Sequence, residues 1–228
     1  MKRTYLYALL AISLLGYAAL AVLAHAYQWT GFDLSTTLLF QGWRSGPLDT
    51  VMTVISWPGY FPEFIPFFVV LMVVMYRMKL KVEAIFLSIA ELGVGAMGFI
   101  VKPIVHRLRP PTSLVWVNDK LTADPYSFTA GHVHTFVVIF GFIIFLAATR
   151  IPGWTWQKIV LVFGSLAILL VMGFSRIYLG DHWASDVVGG YCAGGIWLGL
   201  GLLAYLWQRD RAAGATRRPS PARAKHAT

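Results

Sequence analysis

The chain has 228 residues, of which 57% are hydrophobic and only 13% charged, with a mean hydropathy of +0.65; a soluble globular domain carries about 25% charged residues, so that class is excluded. The formal charge of +9 invites a nucleic-acid partner. Six of the nineteen basic residues lie in the last twenty, however, and others flank apolar runs, a pattern that fits the cytoplasmic bias of a membrane protein instead. The single cysteine, Cys192, leaves no intrachain disulfide and no cysteine-built metal cage.

The apolar runs predict an all-α integral membrane protein with six transmembrane helices, at roughly 5–26, 60–76, 82–101, 131–149, 158–176 and 185–207, each near the ~20 residues a helix needs to cross the hydrocarbon layer. Lys2-Arg3, the first apolar run and Ala24-His25-Ala26 also resemble a cleavable signal peptide. The run is longer than the usual 7–15 residue signal core, so an uncleaved span is expected. Residues 33–57 are mixed, with Leu34, Leu38, Leu39 and Trp43 interrupted by Gly46-Pro47 and Trp57-Pro58-Gly59. This predicts an interfacial helix followed by a short or re-entrant piece before the second span. From Gln208 the chain turns Ala-, Arg- and Pro-rich, predicting a membrane domain over 1–207 and a basic, disordered cytoplasmic tail over 208–228. Gly190/Gly194 and Gly195/Gly199 set small residues four apart on the last span, a pattern for close helix packing. Trp29, Trp57, Trp154 and Trp183 fall near the expected interfaces.

Charge sets the orientation. With the N-terminus inside, thirteen of the nineteen basic residues fall on cytoplasmic segments, with only Glu83 and Asp210 as acids there. The positive-inside bias therefore predicts a plasma (inner) membrane protein with both termini cytoplasmic. Three charged stretches then fall on the periplasmic or extracellular side.

The first runs from Lys102 to Pro110. Lys102 and Arg109 are two helical turns apart and point the same way; Arg109 offers a planar fork to two phosphate oxygens and Lys102 a point charge. Snorkelling cations at a helix end are the alternative. His106 and Arg107 read as rim residues. The second stretch, Ser127 to His132, leads into the fourth span. Gly131 allows close backbone approach, the free N–H groups of a helix start make an anion site, and His132 is placed to protonate a departing oxygen, although a lone interfacial histidine can equally be structural. His134 points elsewhere and reads as packing.

The third stretch, Ser175 to Asp186, is the richest. Arg176 ends the fifth span, while His182 and Asp186 are four apart and share a helical face. A carboxylate there fixes the imidazole tautomer and leaves the other ring nitrogen free to attack. Asp181 reads as a loop residue. Glu91, inside the third span, either lines a cleft or satisfies a helix contact.

These three stretches resemble the signature of the type 2 phosphatidic acid phosphatase (PAP2) superfamily of membrane lipid phosphatases: Lys-x6-Arg-Pro, Pro-Ser-Gly-His and Ser-Arg-x5-His-x3-Asp. The first and third match at every defined position, and the likeness spans about residues 48–205. It implies His182 as the nucleophile of a phosphohistidine intermediate, Asp186 as its orienting carboxylate and His132 as general acid. Lys102, Arg109, Arg176 and the backbone at Ala130 and Gly131 would hold the phosphoryl group, with no metal and no cofactor. The second stretch departs from the pattern, with Thr129-Ala130 in place of Pro-Ser. Loss of that hydroxyl predicts a slower enzyme or an altered preference, unless Thr129 caps the helix or supplies a substitute.

The implied activity is hydrolysis of a lipid phosphate or pyrophosphate: polyprenyl pyrophosphate, phosphatidylglycerophosphate or phosphatidic acid. The alternatives are a lipid phosphotransferase on the same fold and a catalytically weakened lipid-binding or transport protein. The superfamily's soluble vanadium haloperoxidases do not fit six apolar spans. A zinc site from His132, His134 and His182 conflicts with the surrounding cations. A lateral opening for lipid near Trp57-Pro58-Gly59-Tyr60 completes the expectations.

Overall fold

A computed structural model describes residues 3–118 and 124–216, with side chains to 212. Eight helices follow in order: α1 (Arg3–Ala26), α2 (Gly31–Gln41), α3 (Gly46–Ser56), α4 (Phe64–Arg77), α5 (Lys81–Val105), α6 (Gly131–Arg150), α7 (Trp156–Tyr178) and α8 (Ala184–Thr216). A single 3₁₀ turn, Trp57–Gly59, joins α3 to α4. Five helices, α1 and α5 to α8, are long and apolar enough to cross a membrane. The sixth crossing is a broken one. α4 has only 14 residues, about 21 Å of helix, and is bent by 66° against Gly46–Gly59. Residues 33–57 thus form two short helices and a turn, as the mixed composition of that segment predicts.

The bundle is apolar outside as well as inside, as lipid requires. Leu15 is 74% exposed and Phe99 85%. α8 is the central strut, contacting α1, α5 and α6. Its two glycine pairs serve two neighbours. A methyl group on Gly190 or Gly194 would collide with Val133 or Val137 of α6, and one on Gly195 or Gly199 with Ser13 or Leu10 of α1. The pairs let two helices approach the strut on different faces. α8 also runs past Trp207 to Thr216, so the first nine residues of the stretch expected to be disordered are helical. Ala212, Ala213 and Ala215 are good helix formers, and the stretch extends an existing helix instead of nucleating a new one. Residues 217–228 lie outside the described residues.

Arg3 pairs with Asp210 at 2.5 Å, so the start of α1 and the far part of α8 share one end of the bundle. Arg150 pairs with Glu83 at that same end. The three charged stretches gather at the opposite end, where α5 finishes, α6 begins, α7 finishes and α8 begins.

Candidate active site

Helix termini set most of the candidate side chains. α7 stops in a Schellman turn: Gly180 takes φ +73, its N–H donates to Ile177 O, and the Asp181 N–H reaches back to Arg176 O at 3.1 Å. A side chain at Gly180 would also strike the Trp116 carbonyl, so only glycine fits. This turn folds His182 back beside Arg176. α5 ends at His106, in the left-handed region at φ 55, which turns the following Arg107 inward. α6 begins at Gly131, and its first turn leaves backbone N–H groups without intrahelical partners.

The result is a pocket of about 250 Å³ lined by Lys102, Arg109, His132, Arg176, His182 and Gly131, with Tyr60 and Asp124 at its wall. Three cations and two histidines predicted from separate stretches therefore face one space. Arg109 is anchored by donating to the carbonyls of Asp124 (2.8 Å) and Asp181 (2.7 Å), and its Nη1 lies 3.4 Å from His182 Nε2. A guanidinium only donates, so Nε2 is the accepting nitrogen and Nδ1 carries the proton. Nδ1 lies 3.8 Å from Asp186 Oδ2, within electrostatic reach but too long for a hydrogen bond. His182 stands outside the spanning helices. Burial first, then the charges of Arg109, Arg176 and Lys102, push its imidazole well below the ordinary 6.5.

His132 packs edge-on against the Tyr60 ring at 4.5 Å, and its buried Nε2 has no partner. Arg176 Nη1 donates to the Tyr60 hydroxyl at 2.8 Å, which in turn donates to Asp181 Oδ2 at 2.9 Å. Arg176 Nη2 sits 2.5 Å from that same oxygen. Arg176 Nε and Asp181 Oδ1 remain without partners. Lys102 pairs with Asp124 at 2.5 Å, and this cation, together with the Tyr126 N–H and Arg109, outweighs the burial of the Asp124 carboxyl and holds it below its ordinary range. The site is preassembled, with bonding capacity left over.

Beside it lies a second, larger space of about 820 Å³, lined by Phe61, Phe64, Val94, Gly95, Gly98, Phe99 and Thr135. It shares Gly59, Phe61, Lys102, Asp124, Gly131 and His132 with the polar pocket, so an apolar groove between α4, α5 and α6 opens into the cationic chamber. The groove begins at the Trp57–Tyr60 turn, where the sequence reading puts a lateral opening. Glu91 takes the helix-contact role: it faces Thr135 of α6.

Several expectations change. α5 ends at Val105 and α8 begins only at Ala184, so neither Lys102 with Arg109 nor His182 with Asp186 shares a helix as the spacing predicts. Ala130 does not offer its N–H to the pocket, because that group donates to Asp186 O at 3.2 Å. Its methyl group packs among Val133, Ile177, Ala184 and Val187; Gly131 alone of that pair lines the chamber. Thr129 is buried toward Gly189 on α8 and does not cap α6, whose start has no side-chain cap. Arg107 is no rim residue: it is 1% exposed and bridges Asp33 and Asp186, each at 2.7 Å. Asp181 is in its loop but fully buried against Arg176. His106 stays exposed beside Tyr126, and His134 is buried in helix packing.

Asp33 and Asp124 go unnamed in the sequence reading, and Tyr60 enters it only as part of a lipid opening. Thr30 and Asp33 have the spacing of a capping box, and the box forms; that signal could have flagged an aspartate fixed in place. Tyr60 and Asp124 carry no comparable local sign.

Among known proteins, residues 83–211 match the PAP2 superfamily. Undecaprenyl-diphosphatase of Sulfolobus acidocaldarius is 25% identical over 196 residues, covering 84% of this chain and 87% of the relative. Phosphatidylglycerophosphatase B of Bacillus subtilis is 24% identical over 162 residues, covering 70% and 74%. Of solved structures, the transmembrane PAP2-type phosphatidylglycerolphosphate phosphatase of Bacillus subtilis superposes with a TM-score of 0.72 at 21% identity, covering 84% of this chain and 93% of that one. Aquifex aeolicus LpxE superposes with a TM-score of 0.60 at 20% identity, covering 76% and 96%.

Proposed function

The chain belongs to the PAP2 superfamily, and from that premise we propose that it is an integral membrane phosphatase removing phosphate from a lipid phosphate or pyrophosphate through a phosphohistidine at His182. The observation that carries this reading is the junction of a cationic chamber with an apolar groove. Such a shape holds a headgroup at one end and a chain at the other.

Lys102, Arg109 and Arg176 would grip the non-bridging phosphoryl oxygens, with the first N–H groups of α6 beside Gly131 adding donors. The His182 Nε2 lone pair attacks phosphorus; the bond from phosphorus to the lipid or diphosphate oxygen breaks, and His132 gives its proton to that oxygen. Neutral His132 then takes a proton from water, which attacks the phosphohistidine, releasing phosphate and restoring both histidines. Asp186 stabilises the charge on the His182 ring during each transfer. The 3.8 Å separation seen here shortens as the ring becomes positive, since catalytic hydrogen bonds tighten in the loaded complex. The cations supply charge stabilisation to the transferring group without a metal.

The start of α1 and the far part of α8 lie at the end opposite the chamber, with Arg77, Lys79, Lys81 and Arg150 at that end. The positive-inside bias makes that end cytoplasmic and opens the chamber to the periplasmic or extracellular face. Lipids exposed in the outer leaflet are then the substrates, with undecaprenyl pyrophosphate first, and phosphatidylglycerophosphate and phosphatidic acid as competitors.

The test is phosphate release by the purified protein in detergent with EDTA, beside His182→Ala, on these three lipids. Release by the wild type alone supports the reading and ranks the substrates. Equal release by His182→Ala, or dependence on added metal, overturns the mechanism. Transfer of the phosphoryl group to an added alcohol in preference to water would replace the hydrolase with a phosphotransferase.

A further inference from the structure

Behind the chamber lies a second charged cluster, of which the mechanism above uses only Asp186. Arg107 Nη1 donates to Asp186 Oδ1 and Ser185 Oγ, Nη2 to Asp33 Oδ2, and Nε to the Gln28 carbonyl, all within 3.0 Å. Asp33 Oδ1 receives the Ser185 N–H and hydroxyl, and its Oδ2 also receives the Thr30 N–H and hydroxyl. Arg107, Asp33 and Asp186 are each 1% exposed or less. Burying three charges is costly unless a specific arrangement compensates. The cluster touches the chamber through one group, the Asp186 carboxylate, whose Oδ2 also accepts the Trp183 N–H at 2.9 Å.

We propose that Asp33 and Arg107 are positioning residues for the reaction: together they fix Asp186 against His182 and set the charge it presents to the imidazole. The inference rests on the phosphohistidine reading. Its logic is charge counting. Arg107 paired with Asp186 alone would form a neutral unit, and His182 would face no net negative charge. Asp33 offsets the guanidinium, so the triad carries one excess negative charge, and the oxygen nearest the chamber is Asp186 Oδ2. Geometry adds a second part. The capping box of α2 fixes Asp33, Asp33 orients the Arg107 fork, and the fork sets the plane of the Asp186 carboxylate. The Arg107 carbonyl also accepts the Ser127 N–H at 2.8 Å, tying the chain ahead of α6 to the same brace. Asp33 lies on α2, outside residues 83–211 that match the family, so this helix joins the catalytic assembly without supplying a catalytic residue.

Other groups also face His182: Lys102 from α5, Arg109 and Asp124 from the segment after it, His132 from α6, Tyr60 ahead of α4, and Arg176 and Asp181 from α7 and its turn. The experiment therefore varies the brace and leaves these constant, reading the acid limb of kcat/KM, where the attacking imidazole must be neutral. Any titration of the substrate is common to all variants. Asp33→Asn leaves the guanidinium unopposed, disfavours the imidazolium and moves the limb to lower pH. Arg107→Gln leaves two carboxylates, favours the imidazolium and moves it to higher pH, each by about half a pH unit. The double variant restores the net charge, and its limb returns to the wild-type position while kcat stays low. Arg107→Lys keeps the charge but loses the fork, so kcat falls about tenfold or more with KM and limb unchanged.

Melting in detergent identifies any variant that does not fold; Asp33→Asn, which is isosteric, and Arg107→Lys, which keeps the charge, suffice alone for the charge and geometry arms. Uniform loss of activity with an unmoved limb in Asp33→Asn overturns the proposal, leaving a brace that only supports the fold. Activity persisting in His182→Ala would instead overturn the phosphohistidine reading itself.

Discussion

Two charged clusters share one end of this bundle and differ in what they leave unbonded. In the Asp33–Arg107–Asp186 cluster, four guanidinium N–H groups and both oxygens of each carboxylate are engaged. In the chamber, His132 Nε2, Arg176 Nε, Asp181 Oδ1 and His182 Nδ1 have no hydrogen-bond partner. Buried polar groups are ordinarily satisfied, so the first cluster has the economy of structure and the second keeps bonding capacity for a ligand. Both are built from arginines and aspartates. Saturation, not composition, separates them.

The comparison can be broken most sharply at His182. His182→Ala is expected to cut kcat/KM by roughly 10³-fold or more on any lipid phosphate the wild type cleaves, with little change in the melting temperature. Next comes Arg109→Ala, which removes a charged donor from the open cluster. Its cost of about 1.5–3 kcal/mol in the transition state lowers kcat/KM roughly 10–150-fold, and stabilisation of the protein by orthovanadate in thermal melts should disappear with it. Asp33→Asn, in the closed cluster, should keep that stabilisation.

A pH profile sharpens the contrast. On the proposed mechanism attack requires neutral His182, and burial with three neighbouring cations holds its ring well below 6.5. The neutral form therefore survives as pH falls, and the acid limb of kcat/KM should lie below pH 6.5. Arg109→Ala, one positive neighbour fewer, should move the limb upward. A limb above 6.5 in the wild type would contradict the environment described here.

Smaller effects test the groove and the altered second stretch. Gly98 has open space where a side chain would project. Gly98→Leu should raise KM for long-chain lipid phosphates about tenfold while sparing a short-chain substrate, because it fills the groove and not the chamber. Smallest is Ala130→Ser. Its hydroxyl would enter an apolar cluster and not the chamber, so turnover should change by less than about twofold, with a stability cost of roughly 1–3 kcal/mol. A large gain in turnover would show that the serine of the family pattern reaches phosphate here as well.

Much of the fold is local information. Long apolar runs specify spans, and the spans fall within a few residues of α1 and α5 to α7, while α8 runs nine residues past the end expected at 207. Lys102, Arg109, His132, Arg176 and His182 are legible because they cluster at the ends of apolar runs; the helical spacing read for Lys102 and Arg109, and for His182 and Asp186, does not hold, since α5 ends at Val105 and α8 begins at Ala184. Asp33 and Arg107 are not legible, since their pairing joins residues 74 positions apart and the link to Asp186 spans another 79. Nothing near Arg107 distinguishes a buried bridge from a solvated rim. Similarly, the N–H at Ala130 is free by any local rule; only the approach of α8 gives it the Asp186 carbonyl.

The sequence by itself determined the solvent, the order of the apolar helices, and the clustering of charged residues at their ends, because hydropathy and helix termini act over a few residues. The tertiary structure alone decided which cation meets which carboxylate, and hence which charges are spent inside the protein and which remain for a ligand. Charge pairing depends on distance in space and on desolvation, and neither is encoded at the position of any single residue.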